Sequence, residues 1–160
     1  MATRCGDVDP GLLLYLERAA GFDAAVLDRM LNTESGLLGL SGRSADMREL
    51  LESDDAAARA AVDVYCYRAR KYVGAYLAAL GSADAVLFGG GVGEHAPVVR
   101  ARILDGLEAL GIVLDVRRND EARGSEACVS ARASPVEIWV IPVDEAEPLA
   151  RAVLQVMESS

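Results

Sequence analysis

The sequence predicts a helix-rich α/β fold with a small parallel sheet. Two short apolar runs, residues 86–88 and 136–141, are closed by glycine or proline, which is typical of buried strands. Segments in which apolar residues recur at helical spacing lie before, between and after these runs. Strands that alternate with helices favour parallel pairing, because each helix carries the chain back to the start of the next strand.

Capping residues mark the helices in the first part of the chain. Asp9 followed by Pro10 predicts a helix over residues 11–20, because Asp accepts from free N–H groups and Pro suits the first helical turn. In the same way Asp23 predicts a helix that reaches about residue 32. The glycine-rich stretch 35–42 is typical of a loop.

A long helix is predicted over residues 54–80, followed by Gly81 in the C-terminal position that glycine favours. Its apolar residues recur at three- and four-residue steps on one face, which we interpret as core or as a subunit interface. These residues are Val62, Tyr65, Cys66, Tyr72, Val73, Tyr76, Leu77 and Leu80.

The second half of the chain is predicted to continue from the strand at 86–88 into a glycine turn. Pro97 then begins a helix, because proline is favoured at the first helical position. The predicted order is a glycine turn at 89–93, a helix at 98–110, a short segment at 111–114, a polar loop at 117–124, the strand at 136–141 and a helix at 144–157.

Composition excludes several classes of partner. The chain has 25 acidic and 16 basic residues and a net charge of −9, which argues against nucleic acid, because phosphate binding needs basic patches. No apolar run approaches the roughly 20 residues of a membrane span, and we expect a cytoplasmic protein without a targeting segment. The three cysteines are widely spaced and form neither a disulfide framework nor a zinc pattern.

The stretch from residue 84 to 95 joins a strand, a cluster of glycines and a helix start. Glycines let the backbone approach a ligand closely, and a helix that follows turns its N–H groups toward an anion. A tight turn between strand and helix with no ligand is the alternative interpretation. The pattern of residues does not decide between them.

Two features predict that this chain is part of a larger domain. Only two strands serve about five helices, whereas parallel sheets are larger and covered on both faces. Residues 1–10 are rich in charged and turn residues, as in a functional loop. We therefore expect a preceding N-terminal portion.

Four separated segments together resemble the acetate kinase family, within the actin/hexokinase-like (ribonuclease H-like) fold. They are residues 3–11, residues 35–42 together with 46–48, residues 90–94 and residues 141–145, and the match extends over nearly the whole chain. The resemblance implies that residues 1–160 are the C-terminal portion of such an enzyme. The N-terminal domain and the first strands of this domain would then be absent.

The resemblance also implies roles for residues in the first part of the chain. Arg4 matches the family's transition-state arginine, and a guanidinium can neutralise the charge of a transferring phosphoryl group. Asp46, Met47 and Arg48 match a segment that lies against adenosine, where Met47 offers an apolar surface and Arg48 stacks on the base. The alternatives are an exposed terminal arginine for Arg4 and a simple helix cap for Asp46.

Further residues match the adenosine motif and the magnesium site of the family. Glu145 corresponds to the magnesium-linked glutamate, although an acidic residue in a first helical turn is common without any metal. His95 is equally compatible with a surface or capping position. The adenosine motif comprises Gly91, Val92, Gly93, Glu94 and His95.

The chain departs from the family pattern at four positions. The family usually has Asn where this chain has His95 and Thr where it has Gly89, so one ribose contact has a different geometry. Near the magnesium residue, Val143 replaces Thr and Ala146 replaces Glu. The metal site therefore rests on the fewest matching residues.

The resemblance implies an acetate kinase that uses ATP/ADP and Mg²⁺ and pairs as a homodimer. The acyl pocket would lie outside this chain, so a propionate or other short-chain carboxylate kinase is an alternative. A further alternative is an inactive or split-gene fragment that only binds nucleotide, which a complementing N-terminal chain would make active. The last alternative is an unrelated α/β domain that uses the glycine turn to bind another anion. We expect the isolated chain to have negligible kinase activity.

Overall fold

A computed structural model describes residues 1–144, 153 and 155–157. The chain divides into two compact units, Met1–Ala79 and Leu80–Ser160. No helix among the described residues is long and apolar enough to cross a membrane. Each unit is described below from its own elements.

The first unit is built from helices. Asp9 and Asp23 cap the first two as predicted, because their carboxylates accept from the backbone N–H groups of Gly11 and Val26 respectively. The long helix is confirmed, and Gly81 follows it at a φ of 78°. The elements are α1 (Pro10–Ala20), α2 (Ala24–Thr33), α3 (Gly36–Ser41), α4 (Met47–Glu52) and α5 (Ala56–Leu80).

The predicted loop at 35–42 is wrong, because α3 occupies most of it. Its glycines bracket the helix: Gly36 begins it at a φ of 62°, and Gly42 ends it at the same angle. Between them Leu37 is buried, and its N–H donates to the carbonyl of Met1. Packing and long-range hydrogen bonds therefore override the low helix propensity of glycine here.

The apolar face of α5 is core over only part of its length. Val62 and Cys66 are buried, whereas Tyr72, Tyr76 and Leu80 are exposed. The interpretation as core is therefore wrong for the C-terminal half of the helix. The alternative, a subunit interface, stays a prediction.

The second unit contains three strands and short helices. Both predicted strands are present, and a third, which the sequence did not reveal, is only two residues long. The elements are β1 (Ala85–Phe88), α6 (Gly90–His95), α7 (Pro97–Leu104), a 3₁₀ turn (Glu108–Leu110), α8 (Val116–Glu121), β2 (Ala127–Cys128) and β3 (Glu137–Val140).

The sheet has the order β1-β3-β2 and is mixed. β1 and β3 are parallel, with Ala85 opposite Glu137, as the alternation of strands and helices predicts. β2 runs antiparallel to β3, so the expected small parallel sheet is wrong in this respect. Within the described residues β1 has a neighbour on one side only and Leu87 is 62% exposed, so this strand is not buried.

Three helix predictions in this unit need correction. The glycine turn at 89–93 is the start of α6. The helix predicted over 98–110 stops at Leu104, because Gly106 takes a φ of 81°. The predicted loop at 117–124 contains α8, which Asp115 caps by accepting from the N–H of Arg118.

The helix predicted over residues 144–157 falls mainly on positions outside the described residues. Of its residues, 144, 153 and 155–157 are described: Asp144 is not helical, and the other four are.

Each unit has a hydrophobic core of its own. In the first unit the buried apolar residues come from α3, α4 and α5: Leu37, Met47, Leu50, Ala58, Ala61, Val62 and Cys66. In the second unit they come mainly from α7, the connections after it and β3: Val99, Ile103, Leu104, Leu107, Ile112, Ala122, Val129, Val136, Ile138 and Val140.

Candidate functional site

Arg4 lies in an N-terminal segment that backbone hydrogen bonds hold against α2 and α3. The N–H of Ser35 donates to the carbonyl of Thr3 at 2.8 Å, and the N–H of Cys5 donates to the carbonyl of Leu31 at 2.8 Å. The side chain of Arg4 is exposed, and it has no hydrogen bond or ion pair with any described residue. The backbone is thus fixed, while the guanidinium remains accessible to a ligand.

Gly36 determines how closely this segment approaches α3. A Cβ atom on Gly36 would lie 2.4 Å from the carbonyl oxygen of Met1 and 2.9 Å from that of Arg4. Only glycine fits, because the residue also takes a positive φ. The position of the Arg4 backbone therefore depends on this glycine.

Asp7, in the loop after Arg4, is anchored to α5. The guanidinium of Arg68 donates to its carboxylate at 2.5 Å, and the hydroxyl of Tyr72 donates to the same oxygen. This hydrogen bond to Asp7 raises the pKa of Tyr72. Nε of Arg68 is buried without a hydrogen-bond partner among the described residues.

Asp46 and Arg48 form a local ion pair at the start of α4. The Asp46 carboxylate accepts from the backbone N–H of Arg48 at 2.8 Å and from its guanidinium at 2.7 Å. These hydrogen bonds lower the pKa of Asp46 and raise that of Arg48. The Arg48 side chain is 84% exposed, so its flat face is open for stacking on a base.

Met47 differs from its expected role. Its side chain is 4% exposed and belongs to the core of the first unit. It therefore does not offer an accessible apolar surface to adenosine. Between Asp46 and Arg48, it anchors the start of α4 instead.

The glycines around α6 divide into a packed pair and an open pair. A Cβ on Gly89 would lie 2.7 Å from Cγ2 of Val143, and one on Gly93 would lie 3.2 Å from the carbonyl carbon of Phe88. Gly90 and Gly91 face open space, with no atom within 4 Å of a Cβ. The α6 region is therefore packed against the end of β1 and the segment after β3, and it leaves room at Gly90 and Gly91 for a ligand to approach closely.

Glu94 points into the protein. Its carboxylate accepts the backbone N–H of Val143 at 3.0 Å, and the residue is 9% exposed. This bond ties α6 to the segment that follows β3. Of the five motif residues, Glu94 is thus placed to support the site and not to contact a nucleotide directly.

His95 is the exposed end of the motif. Its side chain is 60% exposed, and its Nε2 lies 3.9 Å from the Glu94 carboxylate. A Cβ on Gly124 would lie 2.5 Å from the imidazole Cε1, and Gly124 takes a φ of 65°. The imidazole ring therefore occupies the space that a side chain at position 124 would fill.

The structure adds a residue that the sequence analysis missed, Arg100 on α7. It is fully buried and donates to the carbonyl oxygens of Gly93 and Glu94 at 2.7 and 3.1 Å. Burial lowers the pKa of its guanidinium, and the charge of Arg123 lowers it further. The available signal was an arginine within the apolar spacing of α7, between Val99 and Ile103.

The predicted magnesium residue, Glu145, lies outside the described residues. Among those that are described, no group of three or more His, Cys, Asp or Glu side chains could hold an ion. The neighbouring Asp144 is exposed. Magnesium therefore rests on the resemblance alone.

The structure thus places Arg4 and the Asp46–Arg48 segment in the first unit and α6 in the second. The Acetokinase family model matches residues 1–151.

The chain belongs to the acetokinase family.

Relatives and solved structures agree with the family match. The chain is 46% identical over 156 residues to the acetate kinase of Chloroherpeton thalassium, covering 94% of this chain and 37% of that protein. The crystal structure of Porphyromonas gingivalis acetate kinase superimposes with a TM-score of 0.89 at 41% identity, covering 98% of this chain and 40% of the other. The expected actin/hexokinase-like fold is thereby confirmed.

A propionate kinase is also similar. The crystal structure of the enzyme from Francisella tularensis matches with a TM-score of 0.82 at 34% identity, covering 91% of this chain and 37% of the other. The acetokinase chain described here thus spans between a third and a half of the length of the relatives it matches.

Proposed function

We propose that this chain is the nucleotide-binding, C-terminal portion of an acetate kinase, which transfers a phosphoryl group between ATP and acetate to give acetyl phosphate. The observation that carries the proposal is the open side of α6. Gly90 and Gly91 leave room for close approach, while Glu94 bonds to Val143 and Arg100 bonds to the carbonyl of Gly93. Kinases need such rigid placement, because phosphoryl transfer depends on positioning and charge stabilisation.

Apart from Met47, which belongs to the core, each predicted site residue has a role in this proposal. Arg4 stabilises charge on the transferring phosphoryl group, for which its exposed guanidinium is available. Arg48 stacks on the base, and Asp46 fixes its guanidinium in place. The motif from Gly91 to His95 contacts adenosine through its glycines, Val92 and His95, with Glu94 as support.

Magnesium belongs to the proposal through the resemblance. Glu145 would hold it, directly or through water, because Mg²⁺ prefers oxygen ligands and retains several waters. When bound, the ion neutralises charge on the phosphate oxygens. We assign no step of the transfer to it.

We propose that the isolated chain has negligible kinase activity. In phosphoryl transfer a single arginine contributes roughly 10³- to 10⁵-fold in rate. The chain covers 37% of the length of its Chloroherpeton relative, so the groups that the rest of such an enzyme carries are not among these 160 residues.

The test is acetyl phosphate formation by the purified chain. With ATP, acetate and Mg²⁺, we expect no product above background from the chain alone. Adding the N-terminal portion of a related acetate kinase as a separate chain is expected to restore formation, and Arg4→Ala is expected to abolish it again. Clear turnover by the chain alone would contradict the proposal that it is incomplete.

A nucleotide-binding fragment without catalytic function is the second candidate, supported by the partial coverage of the relatives. The family match rules out the alternative of an unrelated anion-binding domain. Calorimetric titration with ADP, with inorganic phosphate as the control ligand, tests whether the chain binds nucleotide. The kinase proposal and the fragment proposal both require affinity that depends on adenosine. Equal affinity for ADP and phosphate would contradict both.

The similarity to a propionate kinase supports a further alternative within the same chemistry, a kinase for propionate or another short-chain carboxylate. The rates of the complemented enzyme with acetate and with propionate distinguish the two substrates. A preference for propionate would replace the proposed substrate and leave the nucleotide site unchanged.

Assembly and location complete the proposal. The exposed Tyr72, Tyr76 and Leu80 on α5 are large apolar side chains that suit a contact between two copies of the chain, so we propose a homodimer. A cytoplasmic location is proposed from the composition and the resemblance alone. Sedimentation of the wild type against Tyr76→Glu tests the contact. Identical masses for the two proteins would contradict it.

A further inference from the structure

We propose that Arg100 is the positioning residue of the nucleotide site, because it holds α6 in the conformation that binds adenosine. The inference rests on the proposed function and deepens it. Arg100 lies on α7 and its side chain is buried, so it does not itself contact a ligand. It acts through the backbone of the glycine-containing helix.

All five N–H donors of the Arg100 guanidinium have an acceptor. Toward α6, Nη1 donates to the carbonyls of Gly93 and Glu94 at 2.7 and 3.1 Å. Toward α8, Nη2 donates to the carbonyls of Asn119 and Ala122 at 2.7 and 2.8 Å, and Nε donates to Oδ1 of Asn119 at 2.8 Å. The guanidinium therefore joins α6 to α8.

These acceptors explain how a buried positive charge is tolerated. None of the five is a carboxylate; four are backbone carbonyls from the last turn of α6 and the end of α8. The C-terminal carbonyls of a helix lack intrahelical partners and carry partial negative charge, which stabilises a cation. Arg100 thus satisfies the ends of two helices at once.

Asn119 extends the connection to the start of α7. It is 1% exposed, and its side-chain amide donates to the carbonyl of Pro97 at 3.0 Å while its oxygen accepts from Arg100. The side chain therefore fixes the guanidinium in one orientation. α8, which sequence analysis treated as loop, supplies this support.

α6 needs such external support. Gly90, Gly91 and Gly93 occupy three of its six positions, and glycine disfavours a helix because it loses the most backbone freedom on ordering. The same glycines give the ligand room to approach. We infer that the hydrogen bonds from Arg100 stabilise the helical conformation of α6, which its glycines by themselves disfavour.

The experiment compares Arg100→Lys with the wild-type chain. Lysine keeps the charge but is a point donor, so it cannot reach the carbonyls of both helices. Arg117→Lys on α8 is the matched control, because Arg117 is 76% exposed and pairs only locally with Glu121. Two measurements are made: ADP affinity by calorimetry, and amide hydrogen exchange of residues 93–96 and of β3.

We expect Arg100→Lys to weaken ADP binding at least tenfold and to speed exchange at residues 93–96 at least tenfold more than in β3. Arg117→Lys is expected to change neither. Asn119→Ser, which retains Arg100, is expected to weaken ADP binding and to speed exchange at residues 93–96 by a smaller factor. This variant replaces Arg100→Lys in the comparison if Arg100→Lys does not fold.

Two results would overturn the inference: unchanged ADP affinity in Arg100→Lys, or exchange that rises equally in α6 and β3, as a merely structural role predicts. A wild-type chain that does not bind ADP contradicts the proposed function and the ligand part of this inference. The exchange measurement still decides whether Arg100 holds α6.

Discussion

Glu94 shows how a residue within a binding motif contributes without facing the ligand. Its neighbours Gly91 and His95 face open space or solvent, whereas its carboxylate is directed inward to the N–H of Val143. That hydrogen bond joins α6 to the chain after β3. Glu94 therefore contributes to the site indirectly, because its carboxylate oxygen accepts a hydrogen bond that holds α6 in place.

Glu94→Ala and Glu94→Gln separate the hydrogen bond from the charge. Alanine leaves the N–H of Val143 without its acceptor, so we expect the free energy of unfolding to fall by about 1–3 kcal/mol. Glutamine retains an acceptor oxygen, and we expect a much smaller loss and unchanged ADP affinity. Chemical denaturation of both variants measures this. Equal losses would show that the negative charge is what matters.

The Asp46 carboxylate gives a pH-dependent prediction. Hydrogen bonds from Arg48 hold its pKa below the ordinary value of 3.8, so the folded chain binds this proton less readily than the unfolded chain. The resulting stability is present above about pH 3.8 and is lost as the pH falls through the folded-state pKa.

In Arg48→Gln we expect the pKa of Asp46 to rise but to remain lowered, because the backbone N–H of residue 48 still donates. NMR titration of the carboxyl carbon measures it. Arg43→Gln, which removes an equal charge without a hydrogen bond to Asp46, is the control. An unchanged pKa in Arg48→Gln would contradict the role given to the side chain.

Among the elements, α3 depends most clearly on one glycine. Gly36 and Gly42 both take a φ of 62°, but only at Gly36 would a Cβ meet carbonyl oxygens, at 2.4 to 2.9 Å. Gly42→Ala should therefore cost only the left-handed strain, about 1–2 kcal/mol.

We expect Gly36→Ala to cost clearly more than Gly42→Ala, because the N-terminal segment must also move away. Denaturation midpoints of the two variants measure the difference. We also expect faster amide exchange at Cys5 and Ser35 in Gly36→Ala, since their N–H groups hold that segment. Equal costs would mean that the segment is not packed against Gly36.

Elements with local signals were predictable from the sequence, and elements with distant support were not. α1 and α2 carry their own caps at Asp9 and Asp23, and β1 and β3 are rich in apolar residues. α6 depends on Arg100, whose acceptors lie 6 to 22 residues away, so no local pattern marks it. α8 also bonds to Arg100, but it has a local cap, Asp115, that was not recognised in the sequence. Likewise β2 exists only through its pairing with β3.

The same division applies to the candidate site. The motifs identified which residues belong to it, but not which way they point. Met47 was expected to meet a base and is core, and Glu94 was expected to contact the nucleotide and supports the backbone. Burial depends on residues far apart in sequence, which spacing within a motif does not reveal.

For the molecule as a whole, charge opposes the proposed ligand. The chain carries a net charge of −9, and ADP is itself an anion. Local cations such as Arg48 attract it at short range, whereas the overall field repels it at long range. Salt screens the long-range term first, because the Debye length falls from about 30 Å at 0.01 M to about 8 Å at 0.15 M.

We therefore expect ADP to bind more tightly at about 0.15 M than at about 0.01 M ionic strength, because the long-range repulsion is screened at the higher ionic strength. Adenosine, which has no charge, is the matched control ligand and should bind equally at both. Calorimetric titrations of both ligands measure the difference. ADP binding that weakens with salt would show instead that cations close to the phosphates outweigh the net charge of the chain.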